Sequence, residues 1–138
     1  MTYTYKYPRP ALTVDAIVFN NNSQVLLIQR SSQPFKHLWA FPGGFVDENE
    51  TVETAVYREL EEETRIQDVE LKQFHTYSEP DRDPRHRTVT VAFVGKVLKT
   101  TKPVAGDDAK NAKWFKINDL PPLAFDHSRI LDDVLNNQ

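Results

Sequence analysis

The chain has 138 residues, of which 39% are hydrophobic and 27% are charged, and its formal net charge is −3. This length predicts a single domain over residues 1–138, large enough to bury a hydrophobic core. The small negative charge provides no general attraction to nucleic acid or to a membrane surface, so we expect neither as a partner. Cysteine is absent, which excludes disulfides, zinc ribbons and thiol nucleophiles.

The N-terminal stretch MTYTYKYPRP contains no apolar run long enough for a signal peptide, and no later window is apolar enough to span a bilayer. These features, with the absence of cysteine, predict a soluble protein of the cytoplasm. The chain ends with DDVLNNQ soon after its last predicted helix, so we expect no second domain.

The first two predicted strands are ALTVDAIVF (11–19) and QVLLIQR (24–30). They are rich in β-branched residues and flank a turn-forming Asn-Asn-Asn-Ser run, which predicts a strand pair. A loop (31–39) follows, and AFPGGFVDENE (40–50) predicts a short strand that breaks at a Pro-Gly-Gly turn. Three more strands and a closing amphipathic helix are predicted over 69–77, 87–99, 112–117 and 128–137. Strands interrupted by helices predict an α/β (α+β) fold in which a mixed sheet carries helices on its faces.

The segment 51–64 is the strongest predicted helix, with Thr51 as its N-cap. At 100° per residue, Glu59 and Glu63 fall inside the apolar stripe that Val52 and Val56 define, and Glu62 adjoins its edge. A solvated charged face does not explain carboxylates at these positions.

Carboxylates held together on an inward face repel one another and lose hydration, which costs several kcal/mol per ion. Proton uptake, pairing with arginine or binding of a divalent cation can each compensate. Arg58 is a single cation for three acids, which favours a metal site, while an ion-pair network at the helix end is the alternative. The Gly43-Gly44 pair lets the backbone approach a ligand closely and offers carbonyl oxygens to a cation. Glu50 stands where it can pair with Arg58.

The spacing of these residues resembles the signature box of the Nudix hydrolases. The box fixes nine positions, and eight of them match: Gly44, Glu50, Arg58, Glu59, Leu60, Glu62, Glu63 and Ile66. The mismatch is Arg65, where the family has a glycine that ends the helix in a left-handed conformation. An arginine there pays roughly 1–2 kcal/mol for that conformation and can shift the last helical turn.

The resemblance implies a Nudix-type α/β/α sandwich with a mixed β-sheet between helices. It also implies hydrolysis of a nucleoside diphosphate linked to another group, with Mg²⁺, or Mn²⁺ in its place, as cofactor. By position, Glu59, Glu62 and Glu63 resemble the metal-binding glutamates, and the carbonyl of Gly43 resembles the backbone ligand.

Arg58 and Glu50 resemble the pair that orients this site. The family places its general base variously. Glu63 is the first choice here, and the loop residues Glu79 and Asp108 are alternatives, each of which is as well explained as a turn or capping residue.

Segments outside the box, over 8–19, 34–46, 77–94 and 123–131, resemble the ADP-ribose pyrophosphatase branch. That branch implies ADP-ribose as the substrate, with AMP and ribose 5-phosphate as products. Arg82 and Arg85 are candidates to contact the diphosphate or the terminal ribose. The alternative is a surface ion-pair cluster with Asp81 and Asp83.

Aromatic side chains can stack on adenine, and the candidates are Phe35, Trp39 and Phe125. Trp39 fits a core position equally well. His127 can reach substrate, although a single histidine near a helix start more often makes a local hydrogen bond.

Two other functions stay open: a nucleoside triphosphate diphosphatase acting on 8-oxo-dGTP, and a non-catalytic ADP-ribose sensor. The branch resemblance also implies a homodimer.

Overall fold

The computed structural model describes residues 2–106 and 109–137. In these residues seven strands form one sheet, and two helices complete the fold. The elements are β1 (Ala11–Phe19), β2 (Gln24–Arg30), β3 (Trp39–Ala40), β4 (Gly43–Phe45), α1 (Val52–Thr64), β5 (Lys72–Tyr77), β6 (Thr88–Lys96), β7 (Ala109–Lys116) and α2 (His127–Asn136). Among the described residues, no helix is long and apolar enough to cross a membrane.

Strand β1 organises the sheet. It runs parallel to β6 from Ala11 to Phe19, and its other edge pairs antiparallel with β4 and then, at Phe19 and Val25, with β2. Strand β5 continues the sheet beyond β6, while β3 and β7 pair with β2, all antiparallel. The predicted mixed sheet and the predicted pairing of β1 with β2 are therefore confirmed.

The core has two layers, one on each face of the sheet. Successive side chains of a strand point to opposite faces, so β1 contributes to both layers. The first layer packs α1 against the sheet through residues that include Ala55, Val56, Leu60, Val14, Ala16 and Val18. The second packs α2 through residues that include Ile130, Leu131, Val134, Ile17 and Phe19. Burial on both faces explains the nearly continuous apolar sequence of β1, and the α/β/α prediction is confirmed.

The prediction of a Pro-Gly-Gly turn is wrong, because Gly43 and Gly44 are strand residues that pair with β1. No glycine in the described ranges has a positive φ angle. The glycines are instead required by close approach. A Cβ atom on Gly43 would lie 2.1 Å from the Val14 carbonyl oxygen, and one on Gly44 would lie 2.7 Å from the carboxylate carbon of Glu59. Strand β4 thus places α1 directly against the sheet edge.

Backbone groups at both ends of α1 form capping hydrogen bonds. The hydroxyl of Thr51 accepts a hydrogen bond from the Thr54 N–H at 3.0 Å, which confirms the predicted N-cap. At the other end Arg65 itself adopts the left-handed conformation, with φ 67°, and donates its N–H to the Glu61 carbonyl at 2.8 Å. The helix therefore ends where the glycine of the family box would end it.

A second segment covers the same helix end from outside. The N–H groups of Val104 and Gly106 donate to the carbonyls of Thr64 and Glu63 at 3.0 and 3.2 Å. A Cβ atom on Gly106 would lie 2.0 Å from the Glu62 carbonyl oxygen. Four carbonyls at a helix end lack helical partners, so these contacts satisfy groups that would otherwise need water.

We expect Arg65→Gly to raise the free energy of unfolding by about 0.5–1 kcal/mol. Relief of the left-handed strain exceeds the conformational entropy that glycine adds to the unfolded chain. Urea denaturation measures the change. Arg65→Ala is the matched control, since it removes the same charge but keeps a Cβ atom and therefore the strain. Equal effects of the two substitutions would show that the conformation of Arg65 carries no strain.

Candidate active site

A cavity of about 360 Å³ opens where β1, β2 and β4 meet the end of α1 and the start of α2. Its wall combines acidic, basic, aromatic and glycine residues from six parts of the chain. The lining residues are Thr13, Asp15, Ile28, Arg30, Ser31, Ser32, Ala40, Phe41, Gly43, Gly44, Phe45, Asp47, Glu59, Glu63, Arg82, Asp83, Arg85, Thr88, Phe125 and His127.

The acidic wall comes from α1. Glu63 is 9% exposed, and its Oε1 atom accepts the Gly43 N–H at 2.7 Å. Glu59 lies against Gly44, and its side chain is 15% exposed. Glu62 instead has a side chain that is 58% exposed, and it does not line the cavity. The helical periodicity correctly predicts inward Glu59 and Glu63, and Glu62, predicted at the edge of the apolar stripe, lies on its solvent side.

Arg58 explains the position of Glu62. Its guanidinium contacts Glu50 at 2.5 Å, Glu59 at 2.8 Å and Glu62 at 3.3 Å. Two of the three clustered acids, Glu59 and Glu62, thus pair with Arg58. Within 2–106 and 109–137, no third His, Asp or Glu side chain joins Glu59 and Glu63 in a group that could hold a metal ion. Arg58 holds Glu62 away from the cavity that Glu59 and Glu63 line.

The basic wall consists of two arginine–aspartate pairs and Arg30. Arg82 is buried and forms a two-point contact with Asp126, at 2.9 and 2.6 Å. Arg85 makes a similar contact with Asp83, at 3.1 and 2.7 Å. The predicted alternative of an ion-pair cluster thus holds for Arg85 and Asp83, but the partner of Arg82 is Asp126 rather than a neighbouring aspartate.

The predicted aromatic residues separate into two groups. Phe125 lines the cavity, and Phe35 packs edge-on against it with ring centres 4.9 Å apart. Trp39 packs against Phe115 at 4.7 Å in the second core layer. Phe35 and Trp39 are both absent from the cavity wall, and Trp39 takes the core position that was its alternative.

His127 is buried at the first position of α2 and lines the cavity. Its Nδ1 atom accepts the Phe41 N–H at 3.1 Å, and its Nε2 atom lies 3.6 Å from Oδ1 of Asp15. Burial lowers the pKa of His127, while the nearby Asp15 opposes that shift. The ring is therefore neutral at physiological pH, with its proton on Nε2.

A family model described as NUDIX domain matches residues 9–134. The chain belongs to the Nudix family. Among its relatives, an ADP-ribose pyrophosphatase from Methanocaldococcus jannaschii is 46% identical over 129 residues, which cover 94% of this chain and 75% of the relative. The chain is thus a Nudix hydrolase, homologous to an ADP-ribose pyrophosphatase.

Solved structures agree with this assignment. The NUDIX domain of Shewanella oneidensis NrtR, complexed with ADP ribose, is 34% identical with a TM-score of 0.89, covering 98% of this chain and 93% of that one. A bifunctional NMN adenylyltransferase/ADP ribose pyrophosphatase from Francisella tularensis, complexed with AMP and a manganese ion, is 32% identical with a TM-score of 0.84. This chain is covered to 96% in that match but spans only 43% of the bifunctional chain.

Nudix hydrolases generally use divalent metal ions, and the donors at the acidic wall suit one. Carboxylate and carbonyl oxygens are the ligands that Mg²⁺ and Mn²⁺ prefer. Glu59, Glu63 and Gly43, which carry such oxygens, all line the cavity. Burial raises the pKa of Glu59, and the contact with Arg58 opposes this rise. A second cation beside Glu59 would stabilise the charged form of its carboxylate, which burial disfavours.

Glu50 locks the loop before α1. It accepts both Arg58 and the Asp47 N–H, and these contacts lower its pKa from 4.5 to about 2. Between pH 4.5 and about 2, Glu50 therefore binds fewer protons in the folded state than in the unfolded state. The stabilisation from Glu50 is present above pH 4.5 and is lost as the pH falls towards 2.

We expect Glu50→Gln to remove part of this acid-induced loss. Urea denaturation of the wild type and the variant between pH 7 and pH 2.5 measures the free energy of unfolding, and the two curves should converge as the pH falls. Glu53→Gln is the control, because Glu53 lies on the exposed first turn of α1. Parallel curves for the wild type and Glu50→Gln would contradict the prediction.

Sequence patterns do not identify every residue of the cavity wall, and Asp15 and Arg30 are two charged residues that they leave out. Asp15 interrupts the apolar run of β1, and that single charge in a buried strand was the available signal. Arg30 ends β2, where a cation carries no distinctive signal. Glu79 and Asp108 are the two loop residues predicted as alternative general bases. Glu79 is exposed and does not line the cavity, and Asp108 lies outside the described residues.

Proposed function

We propose that this Nudix hydrolase cleaves the diphosphate of ADP-ribose into AMP and ribose 5-phosphate. The observation that carries the proposal is one cavity that is lined both by carboxylates of α1 and by arginine and aromatic side chains. A diphosphate joined to two ribosyl groups needs both walls. The names of the archaeal relative and of the ADP-ribose complex support the same substrate class.

Glu59, Glu63 and the Gly43 carbonyl would hold Mg²⁺, or Mn²⁺ in its place, and Glu62 would join them on release from Arg58. A bound cation neutralises phosphate charge and lowers the pKa of a coordinated water. The cleavage itself adds water to one phosphorus atom and breaks its bond to the bridging oxygen. Because little covalent work is left to the side chains, their main contribution is positioning.

Glu63 is the proposed general base. It lines the cavity, as a base must in order to reach the attacking water, whereas Glu79 does not. The Gly43 N–H fixes one of its carboxylate oxygens and thereby orients the group. Arg58 and Glu50 are proposed to hold the frame of α1 and the preceding loop.

A substrate panel tests the proposed activity. Purified protein is incubated with ADP-ribose, other nucleoside diphosphate sugars, dNTPs and 8-oxo-dGTP, with Mg²⁺ or Mn²⁺, and products are separated by chromatography. We expect AMP and ribose 5-phosphate from ADP-ribose at the highest kcat/KM. Faster cleavage of 8-oxo-dGTP would instead assign a triphosphate diphosphatase, and tight ADP-ribose binding without AMP release would assign a sensor.

Homodimerisation stays a prediction from the family resemblance, and a cytoplasmic location stays a prediction from the absence of cysteine and of a signal peptide. Light scattering of the purified protein tests the first, and fractionation of the source cells tests the second.

A further inference from the structure

Three arginines reach the cavity, and they differ in their partners. Arg82 and Arg85 each make a two-point contact with an aspartate, so their charges are locally matched. Arg30 forms no ion pair with any residue in the ranges 2–106 and 109–137. It is half-buried, although a cation that leaves water without an anionic partner loses hydration free energy.

The backbone and side chain of Arg30 are held in place. Its N–H donates to the Leu38 carbonyl and its own carbonyl accepts the His37 N–H, each at 2.9 Å. The side-chain Nε donates to the Pro34 carbonyl at 2.7 Å, and the guanidinium lies over the Phe125 ring at 4.9 Å. With Nε and one face of the group engaged, the contacts leave both terminal Nη groups without a hydrogen bond to the described residues. An arginine fork with two such groups matches a pair of phosphate oxygens.

Arg30 is surrounded by charged groups of both signs. Burial and the charge of Arg85 lower its pKa, while Asp83 and Glu63 oppose the shift. The guanidinium stays protonated at any physiological pH. Arg30 lines the same cavity as Glu63 and as the Arg85–Asp83 pair. One substrate can therefore contact Glu63 and Arg30 together.

We propose that Arg30 is the residue that binds phosphate oxygens of the substrate, with its Nη groups donating to a nucleoside diphosphate. Arg82 and Arg85 mainly hold their loops in place through the ion pairs with Asp126 and Asp83. The inference rests on the proposed function only for the substrate class, a phosphate-bearing nucleoside.

Binding of ADP and of adenosine, measured by calorimetry in EDTA at low ionic strength, tests this role. Without metal no hydrolysis occurs, and contacts bridged by a cation are absent. We expect Arg30→Gln to weaken ADP binding by about 10- to 100-fold, the range for a hydrogen bond to a charged group, and to leave adenosine binding unchanged. Arg30→Lys keeps the charge without the fork, so its loss should be smaller. Arg87→Gln is the control, because Arg87 is exposed and outside the cavity wall.

Three results would overturn the proposal: wild-type protein that does not bind ADP, unchanged ADP binding in Arg30→Gln, or equal losses of ADP and adenosine binding. The last would indicate that Arg30 only supports the shape of the cavity. Urea denaturation confirms that the variant is folded before the affinities are compared.

Kinetics provide a second readout. With ADP-ribose and Mg²⁺, KM should rise in Arg30→Gln by a factor similar to the loss of ADP affinity. If the wild type does not cleave ADP-ribose, the proposed substrate is wrong, while the ADP and adenosine comparison still decides the role of Arg30.

Discussion

Glu63→Gln is expected to lower turnover by about 10²–10⁴-fold, the range for loss of a positioned general base. The substitution removes a negative charge and a proton acceptor while keeping the shape of the side chain. The amide oxygen can still accept the Gly43 N–H, which Glu63 accepts now at 2.7 Å. Initial rates at saturating Mg²⁺ measure the effect, and urea denaturation should show little change in the free energy of unfolding.

Glu61→Gln is the matched control for this experiment. Glu61 is exposed, and it accepts a hydrogen bond from Gln67 away from the cavity. Its turnover should equal that of the wild type. Equal turnover in Glu63→Gln would exclude Glu63 both as base and as metal ligand.

Glu62→Gln adds information that neither of these variants provides. Glu62 is now paired with Arg58 and turned to solvent. A loss of turnover comparable to that of Glu63→Gln would show that Glu62 leaves Arg58 and enters the metal site during catalysis. Full turnover would show that Glu59 and Glu63 suffice.

The largest loss of stability is expected from Arg82→Met, at about 3 kcal/mol. The side chain of Arg82 is 4% exposed and that of Asp126 is 16% exposed. Removing the arginine leaves a largely buried carboxylate without its partner, and that unpaired charge is the main cost. The free energy of unfolding is measured by urea denaturation near neutral pH.

A double-mutant cycle separates this effect from lost packing. In Arg82→Met/Asp126→Asn the remaining group is neutral, so the double variant should be more stable than Arg82→Met alone. If Arg82→Met costs less than about 1 kcal/mol, the pair contributes little to folding, and the alternative role of Arg82 as a substrate-binding residue gains support.

The strands and helices that the sequence predicts well have local causes. The limits of β1 and β2 match the prediction because unbroken β-branched runs end at turn-forming residues. The limits of α1 follow from Thr51, which caps its start, and from position 65, where the Nudix box places a residue that ends the helix. The sequence predicts a start of β5 at 69, but the strand begins at Lys72, since the Leu71 N–H donates to the Tyr57 hydroxyl rather than to a neighbouring strand.

The parts that the sequence does not predict depend on distant contacts. Gly43 and Gly44 have the composition of a turn, but their packing against Val14 and Glu59 places them in a strand. Arg82 has two aspartates beside it in sequence, yet its partner is Asp126, 44 positions away. Spacing along the chain reveals the box, whereas the basic wall of the cavity exists only after folding.

The cover over the end of α1 also has a practical consequence for protein engineering. Val104 is exposed, and exposure alone would recommend its segment as a site for inserting a tag or a fluorescent label. An insertion between Val104 and Gly106 would break the two hydrogen bonds that hold the carbonyls of Thr64 and Glu63. Lys99 and Thr100 are exposed in the same connection and make no such contact with α1, so the label belongs there.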